Sequence, residues 1–436
     1  MKRNKLILFL LCFILVQSIA AQTQTLSMEQ AIELALKNNF DIQIAKNKSE
    51  QAANNNTLGN AGMLPKLELG ASGNFANTDM RQEFLNGTTI NKNGVESQNI
   101  STGAYLTWTI FDGLKMFASQ KKLAELEKMG KTSLKIQIEN TLSKVIASYY
   151  AVASQIQLIN GLNENIAVSE ERLKIASKKL EIGTGSKFDL IQAKIDLNEL
   201  KTSIIKQTTI LNNSKAELNQ ILNQKIDFNY EISDTIPTIN PLKYDELQKT
   251  IQSNNSDLIY AEKNIEINKF TLRETRSNMM PKVNLNANYL FSRAESQAGF
   301  SLLNQNLGMN FGFTATWTIF NGFTNQTATK NLKLSLQNSI REYERLKTLI
   351  ELNLYNSFQK FENDLTILKL EEESFLLAKE GLAIALERYK LGTTNSVELK
   401  LSQQSYENAV AELAKARYTA KVTETEILKL NGNLIK

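Results

Sequence analysis

One internal duplication constrains this chain more than any other feature of its sequence. Trp108-Thr109-Ile110-Phe111-Asp112-Gly113 returns as Trp317-Thr318-Ile319-Phe320-Asn321-Gly322, 209 residues later. Leu180-Glu181-Ile182-Gly183-Thr184 returns at the same offset as Tyr389-Lys390-Leu391-Gly392-Thr393. Met63-Leu64-Pro65-Lys66 returns as Met279-Met280-Pro281-Lys282, at an offset of 216, so the first copy carries an insertion between its proline and its tryptophan. So long a period is a duplication and not a solenoid repeat. Whatever one copy folds into, the other must fold into as well. The division is a first repeat over 22–236, a Pro237–Pro241 linker and a second repeat over 242–436.

Each copy opens as a helix. Ser27 with Gln30 three residues on is a capping-box pattern, and the helix is expected to run to about Gly62, with its counterpart over 242–278. The period then changes from helical to two, over β-hairpins expected at 64–111 and 281–320. Leu67, Leu69, Ala71 and Phe75 alternate with polar or small residues, as do Val283, Leu285, Ala287, Tyr289 and Phe291. The return strands are clearer still: Leu307, Met309, Phe311, Phe313, Ala315, Trp317 and Ile319 take every odd position. Ala104, Leu106, Trp108 and Ile110 do the same in the first copy, where residues 77–99 read as a long polar loop.

Alternation of about 9–11 residues between an apolar and a small polar face suits a transmembrane β-barrel, and it also suits a soluble sheet with one face on a core. Trp108 and Trp317 stand at equivalent strand ends, where an interfacial aromatic belt would hold them. Four strands are too few to close a membrane barrel, which needs about eight. If these strands meet lipid, several chains must pool them.

After each tryptophan strand comes a stretch without proline, 115–182 and 324–391. As helices these would each reach roughly 100 Å. Val145, Tyr149, Val152, Ile156, Ile159, Asn163, Ile166, Glu170, Leu173, Ser177 and Leu180 fall on a heptad seam, and the positions 209 later repeat it as Leu354, Phe358, Phe361, Leu365, Leu368, Glu372, Phe375, Lys379, Leu382, Leu386 and Tyr389, most of them apolar. That is coiled-coil packing. Both rods end in glycine turns, 183–186 and 392–395, and reverse into helices reaching about Leu222 and Leu430. The fold class is therefore mixed: mostly long α-helical coiled-coil hairpins plus four β-strands per chain. A secreted coiled-coil structural or adhesive protein would explain the helices but not the strands.

Composition removes several function classes. With no histidine, Ser-His and Cys-His nucleophiles are excluded and zinc or copper sites have little to build on. No enzyme activity, metal or cofactor is expected. Lys2, Arg3 and Lys5 precede an apolar run from Leu6 to Val16 and the small pair Ala20-Ala21, the pattern of a secretory signal peptide over residues 1–21. Its removal takes the single cysteine, Cys12, and lowers the net charge from +5 to +2. So balanced a chain, with no aromatics interleaved among its lysines, points to no nucleic-acid partner. Gly130-Lys131-Thr132 lacks the glycine that a phosphate loop needs, since Glu125 stands there, and Phe188 stands where a dinucleotide motif would need a third glycine after Gly183 and Gly185.

Taken together, Tyr389-Lys390-Leu391-Gly392-Thr393 with Glu398 six residues after the glycine, the helix Tyr406 to Tyr418, and the paired Pro-Lys and Trp-Thr-Ile-Phe strand ends resemble the TolC-type outer membrane factor family. The resemblance implies a homotrimer with twelve shared strands in outer-membrane lipid over a periplasmic tunnel of helices. It also implies a periplasmic adaptor (membrane fusion) protein and an inner-membrane pump of RND or ABC type, for efflux or type I secretion. By the same resemblance Asp189, Glu398 and Tyr389 would sit at the periplasmic aperture, and the turns at Gly183, Thr184, Gly185, Gly392 and Thr393 would dock the adaptor. Thr394 stands where the family has a latch arginine and Leu401 where it has a second acid. The resemblance therefore implies a single carboxylate ring without a salt-bridged latch. Independently of any family, Ser186 with Asp189 and Asn395 with Glu398 have the spacing of helix caps, where an acid stabilises the first turn.

Overall fold

The computed structural model describes residues 25–233, 235–237, 239, 241–298 and 301–435. The expected signal segment and parts of the linker lie outside the described residues. Helices α1 (Met28–Asn38) and α2 (Phe40–Asn55) precede strands β1 (Lys66–Glu83) and β2 (Thr89–Phe111), then α3 (Lys115–Glu181) and α4 (Lys187–Ile221). The second copy repeats the order as α5 (Tyr244–Asn254), α6 (Ser256–Ser277), β3 (Lys282–Ser296), β4 (Leu303–Thr316), α7 (Thr324–Lys390) and α8 (Ser396–Leu430).

The chain forms two compact units, and each takes segments from both repeats. One comprises the described residues of Met1–Lys46, Leu134–Leu258 and Leu346–Lys436; the other comprises Asn47–Ser133 and Ile259–Arg345.

The second unit holds the sheet, antiparallel in the order β1-β2-β3-β4. Its register gives each face a single character. Leu67, Leu106, Ala287 and Phe311 form one cross-strand row, and Leu69, Ala104, Tyr289 and Met309 the next on the same face. The opposite face carries Glu68, Tyr105, Asn288 and Asn310, then Gly70, Gly103, Leu290 and Gly308. Its polar groups bond across strands, Ser72 with Ser101 at 2.8 Å and the Asn286 amide donating to Thr314 at 3.0 Å. Within one chain the apolar face is bare, with Phe311 79 % and Phe313 77 % exposed.

Three expectations need correction here. The polar stretch 77–99 is mostly ladder, not loop: β1 continues to Glu83, β2 starts at Thr89, and a tight turn around Asn86-Gly87 joins them. Alternation fades there because polar residues occupy both faces, so backbone bonds alone define the strands. Secondly, Trp317 and Ile319 lie beyond β4, which ends at Thr316 opposite Lys282, the first residue of β3, and among the described residues no strand pairs with them. Thirdly, the opening helix of each copy is broken in two, at Asn39 and at Asn255.

Those two asparagines, 216 apart, perform one task twice. The Asn39 side chain accepts from the amides of Asp41 and Ile42 and donates to the Ile221 carbonyl at 2.8 Å, at the end of α4. Asn255 accepts from Leu258 N–H and donates to the Leu430 carbonyl at 2.9 Å, at the end of α8. Each starts one helix and finishes another, satisfying orphan groups at both.

The first unit is held by the long helices. The expected capping box is present: Ser27 Oγ accepts from Gln30 N–H, and the Gln30 side chain accepts from Ser27 N–H. Leu26, Ala31 and Ala35 pack with Val145, Tyr149, Val152, Leu218, Leu222 and Tyr230 in one apolar cluster. On α7 the expected seam buries Leu354, Phe358, Phe361, Leu382 and Tyr389, whereas its polar positions Glu372 and Lys379 are exposed. On α3 it holds only as far as Ile159. Below that, Asn163, Glu170 and Ser177 are exposed, and Leu162, Asn165, Ser169, Arg172 and Ala176 are buried instead. There α3 meets α4 and α8 on a rotated face, and several of the residues it buries are polar.

Candidate functional site

The two helical turns are built alike. Gly183 and Gly392 adopt φ of +77° and +72°, the left-handed conformation that ends a helix cheaply only at glycine. The amide of Thr184 bonds to the Lys179 carbonyl and that of Thr393 to the Arg388 carbonyl, both at 2.9 Å, closing each rod in a Schellman-like turn. Gly185 is set by space: a Cβ there would lie 2.8 Å from the backbone of Lys179 and Leu180. Each returning helix then starts on a side-chain cap. Ser186 Oγ accepts from Phe188 N–H at 3.0 Å, and Asn395 Oδ1 accepts from Val397 and Glu398 N–H at 3.1 and 3.0 Å.

The two acids following the caps differ in circumstance. Asp189 is half-buried and accepts a long 3.4 Å bond from Ser396 Oγ. Glu398 is bound at both oxygens: Arg388 Nη1 donates to Oε1 at 2.5 Å, and Thr394 Oγ1 donates to Oε2. A salt bridge does close this turn, although Thr394 stands at the expected latch position. The arginine comes from α7, one residue before Tyr389, and Thr394 assists it.

Tyr389 itself is buried. Lys179 of α3 lies 4.7 Å from its ring centroid and donates to its carbonyl at 3.5 Å. Burial pushes the phenol's pKa up; Arg172 pulls it back, and Asp189 pushes it up further. Tyr389 belongs to an apolar cluster with Leu382, Ala385, Leu399, Tyr406 and Val410, against which Leu158, Val168 and Ile175 of α3 pack. The structure thus brings Tyr389 and Asp189 into one electrostatic neighbourhood and ties Glu398 to a partner of its own.

Sequence reasoning missed the charges behind the turns. Arg172 Nη1 donates to Asp196 Oδ2 at 2.7 Å, and Lys400 Nζ donates to Asp196 Oδ1 at 2.7 Å. Burial opposes the Asp196 charge, but hydrogen bonds from Lys400, Gln192 and Arg172 outweigh it and hold the carboxyl below its ordinary range. The signal lay one residue off the heptad, since Leu173 was assigned to the seam and Arg172 left outside it.

Trp108 and Trp317 behave as a pair. Their indole N–H groups donate to the carbonyls of Met63 and Met279, at 2.9 and 3.0 Å, and both rings are exposed. The polar edge of each ring is thus already satisfied at the start of the partner strand.

Residues 31–224 and 247–433, one span in each copy, match the family described as outer membrane efflux protein. The chain belongs to this family. Outer membrane protein TolC of Escherichia coli (strain K12) is 21 % identical over 384 residues, covering 85 % of this chain and 75 % of the relative. The proteases secretion protein PrtF of Dickeya chrysanthemi is 18 % identical over 411 residues, covering 91 % and 86 %. Among solved structures, the CmeC outer membrane channel of Campylobacter jejuni superposes with a TM-score of 0.78 at 18 % identity, covering 94 % of this chain and 86 % of that one. The outer membrane protein VceC of Vibrio cholerae gives 0.76 at 14 %, covering 93 % and 96 %. This outer membrane efflux protein is an exit duct in the outer membrane. The bare apolar face of its sheet suits contact with lipid, as the outward face of a membrane barrel does.

Proposed function

We propose that three copies of this chain pool their strands into one twelve-stranded barrel, and that the joined helical hairpins form a passive periplasmic duct. The observation that carries this reading is the sheet itself. Its two faces are chemically opposite, and among the described residues β1 pairs only with β2 and β4 only with β3, so both edges are open there. Bare strand edges cannot stand in lipid. The helices show a matching deficit: Leu370, Leu377 and Ile384 on α7, and Leu391 just past its end, are exposed at seven-residue intervals, the spacing of a second seam for a neighbouring copy.

In this reading the turns at Gly183-Thr184-Gly185 and Gly392-Thr393 are the periplasmic tip and dock a periplasmic adaptor, which links the duct to an inner-membrane pump of RND or ABC type. Asp189 lines the aperture, Tyr389 is packed behind it at the turn, and Glu398, paired with Arg388, shapes it without adding a free charge. The name of PrtF favours proteins among the exported cargoes. The mass of the detergent-solubilised protein, corrected for bound detergent, tests the assembly: three chains are expected, and a single chain would refute it.

A further inference from the structure

Where the strands of the second unit meet its helices, the polar face of the sheet runs into a cavity of about 660 Å³. Its chemistry is one-sided. Lys282, the first residue of β3, and Lys115, the first of α3, both line it, and among the described residues neither forms an ion pair. The one carboxylate among the described lining residues, Asp112, accepts from Met116 N–H with both oxygens, at 3.2 and 3.0 Å, and so caps α3. Hydroxyls of Thr316 and Thr318 and the amide of Asn321 stand on the same rim.

The duplication shows that this charge is particular to one junction. Lys66, 216 residues before Lys282, is paired with Glu68 at 2.6 Å. In the second copy Asn284 takes the place of Glu68, and its Oδ1 accepts from Thr109 Oγ1 at 3.0 Å instead. Lys115 has no basic counterpart, since Thr324 stands 209 residues later. One backbone is thus built twice, and only here do two free ammonium groups face one cleft. Like charges in a cleft repel each other, and low-dielectric walls focus their field on whatever enters.

We propose that this cavity binds multiply charged oxyanions, held by Lys282 and Lys115, where the helical duct opens into the barrel. Lys282 shares a sheet face with Thr109, Asn284 and Thr316, the face away from the apolar rows. An anion held there stands in water and not among lipid tails. The ligand class follows from the donors. A lysine ammonium is a compact point charge with rotatable donors and does not impose the planar, two-pronged geometry of arginine. Phosphates and clustered carboxylates therefore both fit, while a monovalent ion gains little in a wet cleft. The neutral rim donors complete the shell without adding charge. Lys282 and Lys115 are thus specificity-determining residues for anionic cargo. The place in the duct rests on the proposed assembly, whereas the cavity itself is complete within one chain.

The test titrates pyrophosphate into the full mature protein in detergent at low salt, where such contacts are least screened, and follows the broadening of its phosphorus resonance. Saturable binding at one site per chain is expected. Lys282→Met and Lys115→Met should each weaken it roughly tenfold, the order expected for removing one nearby unit charge, and Lys282→Arg should retain it. Lys66→Met, which removes a lysine already paired with Glu68, should bind as the wild type does. Absent or unsaturable binding would overturn the proposal, as would equal weakening in Lys66→Met, the mark of diffuse attraction to the surface. The titration requires neither conduction nor assembly. Binding by a single-chain species would keep the site and sink the duct, and a trimer that binds nothing would sink the site alone.

Discussion

Replacing Asn255 by alanine removes a cap that serves two helices at once, and the structure fixes the size of the loss. The residue is 3 % exposed. Its Oδ1 accepts from Leu258 N–H in the first turn of α6, and its Nδ2 donates to the last carbonyl of α8, that of Leu430. Loss of a helix N-cap costs about 1 kcal/mol. Leaving a part-buried carbonyl without its donor adds roughly 1–3 kcal/mol. Asn255→Ala should therefore destabilise the helical unit by about 2–4 kcal/mol, a fall of roughly 5–15 °C in apparent melting temperature for a unit of this size. Asn255→Asp separates the two contributions. The carboxylate keeps the acceptor for α6, and a negative charge suits a helix start, but it sets oxygen against the Leu430 carbonyl. It should be no better than alanine. The equivalent change at the more exposed Asn39 should cost less. Thermal unfolding followed by the helical circular dichroism signal checks all three. Asn255→Asp melting with the wild type would refute the shared-cap account.

The acids at the turns should be unequal in their effect on selectivity. Asp189→Ala is expected to lower the cation preference of the reconstituted channel, whereas Glu398→Ala should leave less of a mark because Arg388 already neutralises it; reversal-potential measurements under a salt gradient would show the difference, and equal losses would contradict it. On the sheet, Phe311→Arg places a charge at the middle of the apolar band, where arginine costs about 2–4 kcal/mol per chain, and should abolish recovery of assembled protein from outer membranes. Asn310→Arg, one residue away on the polar face, should assemble normally and change only conductance.

The period of the hydrophobic pattern made most of this fold legible. Alternation at 307–315 and the heptad on α7 both survive in the structure, because in each case one environment bears on one face. Where two environments meet, the pattern blurred. Residues 77–99 are polar on both sides of the ladder, so strand read as loop. The lower half of α3 packs against neighbours in two directions, so the seam was drawn through Leu173 and the buried Arg172 beside it was left out. The turns were readable because positive φ and side-chain caps demand particular residue types. The ion pairs behind them were not, since Arg388 and Glu398, ten residues apart, become neighbours only once the chain reverses. The breaks at Asn39 and Asn255 left a trace in the repeated Asn-Asn pairs 38–39 and 254–255, whose meaning depends on the distant ends of α4 and α8.

A strand of a membrane barrel must meet lipid on one face and water on the other. Single cysteines placed in turn at Met309, Asn310, Phe311, Gly312, Phe313 and Thr314 of the assembled protein, exposed to a charged thiol reagent confined to water, probe that directly. Labelling at positions 310, 312 and 314 with protection at 309, 311 and 313 is the expected result. Uniform labelling along β4, or the opposite alternation, would contradict it.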